Sequence, residues 1–210
     1  MIHAFLLLAF LLSTTTPHVA AIDFCIADIK SAPTPAGYPC KSPSTVTVDD
    51  FVFSNFVEGK PNIFNFSFTP AFVDQFPAFN GLGLSASRFD IEVGGVVPLH
   101  THADATEVII MIQGSLTAGF ITSDTNTVYQ RTLSAGNIMV LPKGLLHFAL
   151  NAGSQKASAT VIFSGSVQPS VQLLDLALFG NNFDSALVAK TTFLDPEQIK
   201  KLKGVFKGTG

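Results

Sequence analysis

The sequence predicts an all-β sandwich or barrel, and three observations support this fold class. Between Leu82 and Gly165, short runs rich in β-branched and aromatic residues alternate with clusters of Gly, Asn, Ser and Pro. No helical pattern of about 10–15 residues separates these runs, as parallel βαβ units would require. Gly114-Ser115 and Asp124–Asn126 have the composition of hairpin turns. The predicted strands cover residues 85–93, 105–112, 115–122, 126–133, 137–142, 145–150 and 158–164.

Residues 1–21 have the pattern of a secretory signal peptide. Phe5–Leu12 is an apolar core that is too short to cross a bilayer, and Val19-Ala20-Ala21 offers small residues for cleavage. We therefore expect a secreted, extracellular protein whose mature chain begins at Ile22, and no membrane-spanning helix. A buried N-terminal helix is the alternative for this run.

The composition predicts a single domain with a dense interior. Apolar residues make up 47% of the chain and charged residues 13%, with twenty Phe and no Trp, so the surface is lightly charged and suggests burial between subunits. The formal net charge is −3 and no basic stripe is present, so nucleic acid is not an expected partner.

Residues 22–60 form a predicted N-terminal extension that contains both cysteines, Cys25 and Cys40. An oxidising compartment and an even count favour one disulfide between them, although two free thiols are the alternative. In the chain-entropy model a loop of this size is worth about 3 kcal/mol. We expect a structural bridge rather than a catalytic one.

Residues 61–170 form the predicted barrel, and the one N-x-S/T sequon, Asn65-Phe66-Ser67, lies near its start. Phe64 and Phe68 continue an alternation of aromatic and polar residues. A strand here would bury the aromatic rings and expose the asparagine. Asn65 is therefore the predicted glycosylation site.

Residues 171–210 form a predicted helical segment. Residues 184–190 indicate a short helix capped by Asp184. A second helix has Asp195 at the N-cap, Pro196 at the first helical position and Gln198 two residues later. Such a helix can pack on its own barrel or on a neighbouring subunit. In the second helix one predicted face is apolar and the other mostly lysine: Ile199, Leu202 and Phe206 against Lys200, Lys201 and Lys203.

Four residues are candidate metal ligands: His100, His102, Glu107 and His147. The chain has five His, and the three outside the predicted leader all lie within residues 94–114 and 136–151. The first two His project to the same face of an extended segment. Glu107 breaks this parity, so residues 103–105 must form a turn. Unpaired polar groups in such apolar surroundings are costly, and metal coordination would compensate for them.

The predicted ligand set restricts which metal ions could bind. Thiolate ligands are absent, which excludes Cys-based zinc and iron–sulfur sites. Three neutral imidazoles and one carboxylate leave room for one or two waters, which suits six-coordinate Mn(II) or Fe(II). A tetrahedral Zn(II) site can also be built from these residues.

The two stretches resemble the paired motifs of germins and germin-like proteins, which are cupins. The resemblance extends over residues 22–210. It includes the early DFCIAD with its two cysteines and the run FNGLGLSASRFD. The closing TTFLDPEQIKKLKGVF is similar to the subgroup described as auxin-binding germin-like proteins. The matching spacings are Gly94-x5-His100-x-His102-x4-Glu107-x6-Gly114 and Gly136-x5-Pro142-x-Gly144-x2-His147-x3-Asn151.

This resemblance implies a double-stranded β-helix, a jelly-roll barrel with the metal in its interior. It implies Mn(II) as the cofactor, a location in the apoplast and cell wall, and a homohexamer built as a trimer of dimers. A superoxide dismutase is the first hypothesis for its activity. The second is an auxin-binding module for a carboxylate ligand, with Ile109, Met111 and Phe148 beside an aromatic ring. The third is a storage or cell-wall protein whose metal stabilises the barrel.

The resemblance weighs against oxalate oxidation. Oxalate-oxidising germins carry two Asn before the first motif. Asn80 matches one of them and is a candidate ligand-orienting residue, whereas Ser87 stands where the other is expected. Serine is shorter and cannot offer the paired donor and acceptor of an amide. Asn137 also differs from the family pattern, which usually has Asp directly after the first glycine of the second motif. We expect this position to lie in a surface turn.

Overall fold

The computed structural model describes residues 23–210, so the predicted signal peptide, residues 1–21, and the predicted mature start at Ile22 lie outside the described residues. The strands of the described part are β1 Phe66–Ala71, β2 Leu84–Ile91, β3 Val96–Thr101, β4 Glu107–Gln113, β5 Ser115–Ile121, β6 Val128–Ser134, β7 Ile138–Leu141, β8 Leu146–Leu150, β9 Ala157–Ser164 and β10 Gln172–Leu173.

These strands form two antiparallel sheets of five strands that face each other across one core. One sheet has the order β1-β2-β9-β4-β7, and the other has the order β10-β3-β8-β5-β6. Consecutive strands repeatedly change sheet, as in a jelly roll. The predicted all-β jelly-roll barrel is therefore confirmed.

The core lies between the inner faces of the two sheets. Along β9 every second side chain is buried, and β4 shows the same alternation at its start. This two-residue period is the pattern that a strand with one buried face requires. The buried apolar side chains of this cluster include Ile91, Ile109, Met111, Leu116, Leu141, Val161 and Phe163.

The turn at Gly114 differs from the prediction. Residues 122–127 do connect a hairpin, since β5 pairs with β6. Gly114, however, joins β4 to β5, which lie in different sheets, so it forms a corner rather than a hairpin. Its φ is 73°, and a Cβ here would lie 2.5 Å from the carbonyl oxygen of Lys156. Both facts require glycine, and the local sequence does not distinguish such a corner from a hairpin.

The N-terminal extension packs against the outer face of β1. Cys25 and Cys40 form the predicted disulfide. Two short 3-10 helices follow, Pro43–Thr45 and Val48–Phe51, and a third, Pro77–Phe79, lies beyond β1. On the outer face of β1, Thr69 Oγ1 donates to Val57 O at 2.7 Å and Gly59 lies against the buried Ser67.

The sequon lies at the start of β1. Asn65 is exposed, as expected, but it adopts φ 57° in a turn just before the strand. Phe66 and Phe68 point to the inner side, although Phe68 remains 37% exposed at the barrel mouth. Glycosylation of Asn65 stays a prediction.

The C-terminal segment contains three helices: α1 Leu174–Phe179, α2 Ser185–Thr192 and α3 Pro196–Phe206. Both predicted N-caps are confirmed, since Asp184 accepts a hydrogen bond from Leu187 N–H and Asp195 accepts from Glu197 and Gln198 N–H. The first of the three, α1, was not predicted. None of the helices between residues 23 and 210 is long and apolar enough to cross a membrane.

The expected outward position of Lys203 is wrong. Its side chain is buried, and its ammonium group donates hydrogen bonds to the carbonyl oxygens of Phe183 and Thr209. The apolar face of α3 forms a second, small cluster with Phe179 and Val188.

Candidate metal centre

The four predicted ligand residues converge in the barrel interior. His100, His102, Glu107 and His147 are all buried, and one possible ligand atom from each lies within 4.8 Å of the others. His100 lies on β3 and His147 on β8, whereas Glu107 begins β4 in the opposite sheet. The cluster therefore spans the two layers of the barrel.

Strand register brings the ligands together. His100 and His147 are directly paired across the antiparallel strands β3 and β8, and their ring centroids are 4.1 Å apart. His102 follows the end of β3 on the same side, with its centroid 5.1 Å from that of His100. A bend at residues 103–104 then carries the chain to Glu107, as the parity of the sequence predicts.

Each histidine ring is oriented by a backbone carbonyl. The Nδ1 atoms of the three rings lie 2.7 Å from Pro98 O, 2.8 Å from Ser170 O and 2.8 Å from Leu145 O, for His100, His102 and His147 respectively. Because a carbonyl only accepts hydrogen bonds, these contacts assign the proton to Nδ1. The Nε2 lone pairs are left for the centre, which is the arrangement of metal-binding histidines.

The electrostatics of the cluster keep its acid ionised. Burial alone would raise the pKa of Glu107, but the imidazoles of His102 and His147 outweigh it and hold this pKa at about 2. Burial lowers the pKa of His100 to about 4, and repulsion from His147 adds to this effect. Burial also opposes protonation of His102, yet its bonds to Glu107 and Ser170 raise its pKa.

The residues fit a divalent metal ion. His102 Nε2 lies 3.2 Å from Glu107 Oε2, and with the proton of its neutral ring on Nδ1 both atoms present lone pairs that a cation can bind. His147 Nε2 is buried 3.4 Å from the same oxygen and has no hydrogen-bond partner among residues 23–210. A buried polar atom of this kind is costly unless something binds it. Three imidazole nitrogens and a carboxylate oxygen at one point suit Mn(II), Fe(II) or Zn(II).

A cavity of about 280 Å³ opens beside the cluster. We call it the mouth. His100 and His102 form its floor, and the part of its lining within the described chain contains no Lys or Arg. Most of the other lining side chains are aromatic or aliphatic: Phe66, Phe68, Phe72, Phe89, Val97, Pro98, Phe163, Pro169, Val171 and Leu173.

The structure does not bring Asn80 to the centre. Its amide is buried, bonds to the backbone of Tyr38 and donates to Cys25 Sγ at 3.1 Å. This position corrects the expectation that Asn80 orients a ligand. Ser87 does share the inner face of β2 with Phe89, and its buried hydroxyl finds no hydrogen-bond partner in the described part of the chain.

The predicted ring contacts of Ile109, Met111 and Phe148 also need correction. Ile109 and Phe148 line a space of about 10 Å³ behind the cluster, room for about one water and not for an aromatic ring. Met111 is fully buried in the core. The aromatic side chains that reach the mouth were missed, although the alternation in residues 64–68 and 158–164 carries their signal.

Comparison with known families and proteins gives consistent matches. The Cupin family model matches residues 57–200. Germin-like protein 8-14 of Oryza sativa subsp. japonica is 53% identical, over 97% of this chain and 95% of that protein. Auxin-binding protein ABP20 of Prunus persica is 52% identical over the same shares. Germin-like protein subfamily 3 member 1 of Arabidopsis thaliana is 54% identical over 90% of each chain.

Solved structures extend the match to three dimensions. A recombinant oxalate oxidase in complex with glycolate superposes with a TM-score of 0.81 at 30% identity, covering 88% of this chain and 95% of that one. Most of the chain thus has a counterpart in a known structure. With its paired histidine motifs, its jelly-roll barrel and relatives more than 50% identical over nearly its full length, this chain belongs to the germin-like proteins of the cupin family.

Proposed function

We propose that this protein is a secreted, manganese-binding germin-like protein of the apoplast that dismutates superoxide. The overall reaction converts two superoxide anions and two protons into dioxygen and hydrogen peroxide. The observation that carries the proposal is the convergence of three imidazole nitrogens on Glu107. The rings are already turned inward by Pro98, Ser170 and Leu145 carbonyls.

His100, His102, Glu107 and His147 would hold the ion, and manganese would supply one-electron redox chemistry there. A divalent ion held by one carboxylate and three neutral imidazoles keeps a net positive charge, which attracts a small anion. The apolar mouth limits water around the site, and this strengthens the attraction. Both features favour a small monoanion as substrate.

The same pocket argues against oxalate. A dianion has a second carboxylate that needs donors of its own, and the lining described above supplies neither Lys nor Arg for it. Asn80 is turned towards the N-terminal extension, and Ser87 is too short to replace an amide. Oxalate oxidase activity is therefore not expected, despite the similarity to oxalate oxidase in fold.

A second candidate function is binding of an aromatic carboxylate such as an auxin. The observation that favours it is the row of phenylalanines at the mouth, Phe66, Phe68 and Phe89, with ring centroids 5.3 to 6.0 Å apart. A planar ring could stack among them while its carboxylate faces His100 and His102. Three relatives of this chain, all from Prunus persica, are named auxin-binding proteins. The third candidate function is a storage or cell-wall role, in which the metal stabilises the barrel.

We also propose a homohexamer, a trimer of dimers. Large apolar side chains of the helical segment are left exposed in the single chain: Leu176, Leu187 and Phe193, the last 93% exposed. Burial between subunits would cover them. Light scattering of the secreted protein checks this directly, and a monomer at micromolar concentration would contradict it.

The decisive experiment is metal analysis of the secreted protein and of His147→Ala, followed by superoxide, oxalate and auxin assays on the Mn-loaded samples. We expect about one manganese per chain in the unmodified protein, loss of most of it in His147→Ala, and an unchanged β spectrum in far-UV circular dichroism. Met111→Leu, a buried change on β4 outside the cluster, is the matched control. Full metal retention in His147→Ala would refute the centre.

A further inference from the structure

The three histidines differ in how their orientation is secured. His100 and His147 each contact the carbonyl two residues earlier, on their own segment, through Pro98 and Leu145. His102 instead contacts Ser170 O, 68 residues later in the chain. The orientation of the His102 ring therefore depends on the position of Ser170.

Ser170 lies in a segment that crosses the mouth. We call residues 166–171 the strap. Two hydrogen bonds fix its first residue, Ser166. Its carbonyl oxygen accepts from Val73 N–H at 2.9 Å, and its Oγ accepts from Gly83 N–H at 3.2 Å. Beyond its last residue, β10 pairs with β3, with Leu173 opposite His100. Between these ends the chain lies over the mouth, which Gln168, Pro169 and Val171 line.

Asp104 secures the middle of the strap. Its Oδ1 accepts from Ser170 N–H at 3.0 Å and from Ser170 Oγ–H at 2.9 Å, and its Oδ2 lies 3.3 Å from the same N–H. The loop that carries Asp104 is itself held firmly. Thr106 N–H donates to Ser164 Oγ at 2.8 Å, and Gly144 N–H donates to His102 O at 2.8 Å.

We propose that Asp104 is a positioning residue of the metal centre, which acts through Ser170 to fix the ring of His102. Asp104 does not reach the cluster itself; it holds the N–H and hydroxyl of the residue whose carbonyl receives His102 Nδ1–H. Residues that bond directly to metal ligands typically change metal affinity about 10- to 100-fold when mutated, and Asp104, one contact further out, should act at the lower end of this range. This inference rests on the proposed manganese centre only for its effect on affinity. The effect on the ring is independent of any metal.

The first test uses metal-free protein and ring-proton exchange by NMR. In Asp104→Ala the Nδ1–H of His102 should exchange with solvent faster than in the unmodified protein. The corresponding protons of His100 and His147 should be unchanged, because their carbonyl partners are local. Asp104→Asn keeps an acceptor for Ser170 and should largely restore slow exchange. Equal exchange of the His102 proton in Asp104→Ala and the unmodified protein would overturn the proposal.

The second test measures the Mn(II) dissociation constant by chelator competition and the EPR spectrum of bound Mn(II). We expect about tenfold weaker binding in Asp104→Ala and a smaller loss in Ser170→Ala, which removes only the hydroxyl bond and keeps the N–H bond to Asp104. Asp124→Ala, a change of an exposed acid of the β5–β6 loop, should have no effect. A lower thermal midpoint of metal-free Asp104→Ala with unchanged affinity and spectrum would make Asp104 merely structural. Absence of Mn(II) binding by the unmodified protein would refute the proposed function instead, and the ring-proton exchange would still decide the role of Asp104.

Discussion

The side-chain amide of Asn80 bonds to both backbone groups of Tyr38, 42 residues earlier in the chain. Tyr38 N–H donates to its Oδ1 at 3.1 Å, and its Nδ2 donates to Tyr38 O at 2.8 Å. The amide thus pairs with the backbone N–H and C=O of Tyr38 as a neighbouring β-strand would, and this holds the disulfide loop in place. This structural role uses the hydrogen-bonding capacity that a role in ligand orientation would require.

Asn80→Ala should loosen the N-terminal extension and leave the metal centre intact. The backbone of Tyr38 would lose two partners, and an unpaired buried group costs about 1–3 kcal/mol. We expect a lower denaturation midpoint and faster reduction of the Cys25–Cys40 bond by dithiothreitol. Metal content should match that of the unmodified protein. Asn182→Ala is the control, because this exposed asparagine makes no side-chain hydrogen bond within residues 23–210. Loss of metal in Asn80→Ala would contradict this assignment.

Lys203→Met should weaken the packing of the three helices. The change keeps roughly the length of the side chain but removes the ammonium group, which donates hydrogen bonds to Phe183 O and Thr209 O. Two carbonyls then lose a charged donor, at a cost of about 1.5–3 kcal/mol for such a bond. Amide hydrogen exchange in residues 174–206 should become faster. Lys200→Met, on the exposed side of α3, should change nothing, and equal exchange in the two variants would count against this role.

Asp90→Asn should reduce stability at neutral pH but not in acid. Asp90 is buried on β2 and accepts from Arg88 Nε and Nη2 at 2.7 and 2.9 Å and from Ser158 Oγ at 2.5 Å. Burial alone would raise its pKa, but the bonds from Arg88 and Ser158 outweigh it and lower the pKa below the ordinary 3.8. The unfolded chain therefore binds the proton first as the pH falls.

It follows that the stabilisation from Asp90 is present above about pH 3.8 and is lost as the pH falls through the folded pKa. We expect Asp90→Asn to lower the free energy of unfolding by about 1.5–3 kcal/mol at pH 7, with the difference shrinking below pH 4. Urea titrations across this range measure it. Asp49→Asn, an exposed change of the same charge, is the control. A pH-independent difference would show that the carboxylate charge is not involved.

Ser87→Asn tests the argument against oxalate. In Mn-loaded samples the unmodified protein should show little or no oxalate oxidation, whereas Ser87→Asn should restore only part of it, because Asn80 stays bonded to Tyr38 and a second orienting amide is still missing. A hydrogen bond to a charged group is worth about 1.5–3 kcal/mol, or roughly one to two decades in rate. Ser87→Ala is the matched control. Oxalate turnover by the unmodified protein at the rate of an oxalate-oxidising germin would refute the argument.

Three of the four metal ligands could be predicted because their signals are local, whereas His147 was assigned from the concentration of histidines in two separate stretches and from the resemblance of both stretches to the paired germin motifs. His100, His102 and Glu107 lie within one short stretch, and strand parity alone requires the bend between them. The caps at Asp184 and Asp195 were predictable for the same reason, since an N-cap bonds within its own first turn.

The errors concern residues whose partners are remote. Nothing near Asn80 indicates that Tyr38 is its partner, and Lys203 is buried only because the last residues of the chain fold back over α3. Gly114 has the sequence of a hairpin turn, and only the approach of the Lys156 carbonyl makes it a corner. In each case tertiary packing decides between two conformations that the local sequence permits equally.

The position of the cluster between the two sheets has a mechanical consequence. The Cys25–Cys40 bond closes a loop within the N-terminal extension and does not join the layers of the barrel. An ion held by His147 on one layer and Glu107 on the other would add a cross-link between the layers that the disulfide does not provide. Such a cross-link is reversible, because a chelator can remove the ion and added metal can restore it. The resistance of the folded protein to heat and proteases would then vary with the metal supply around it.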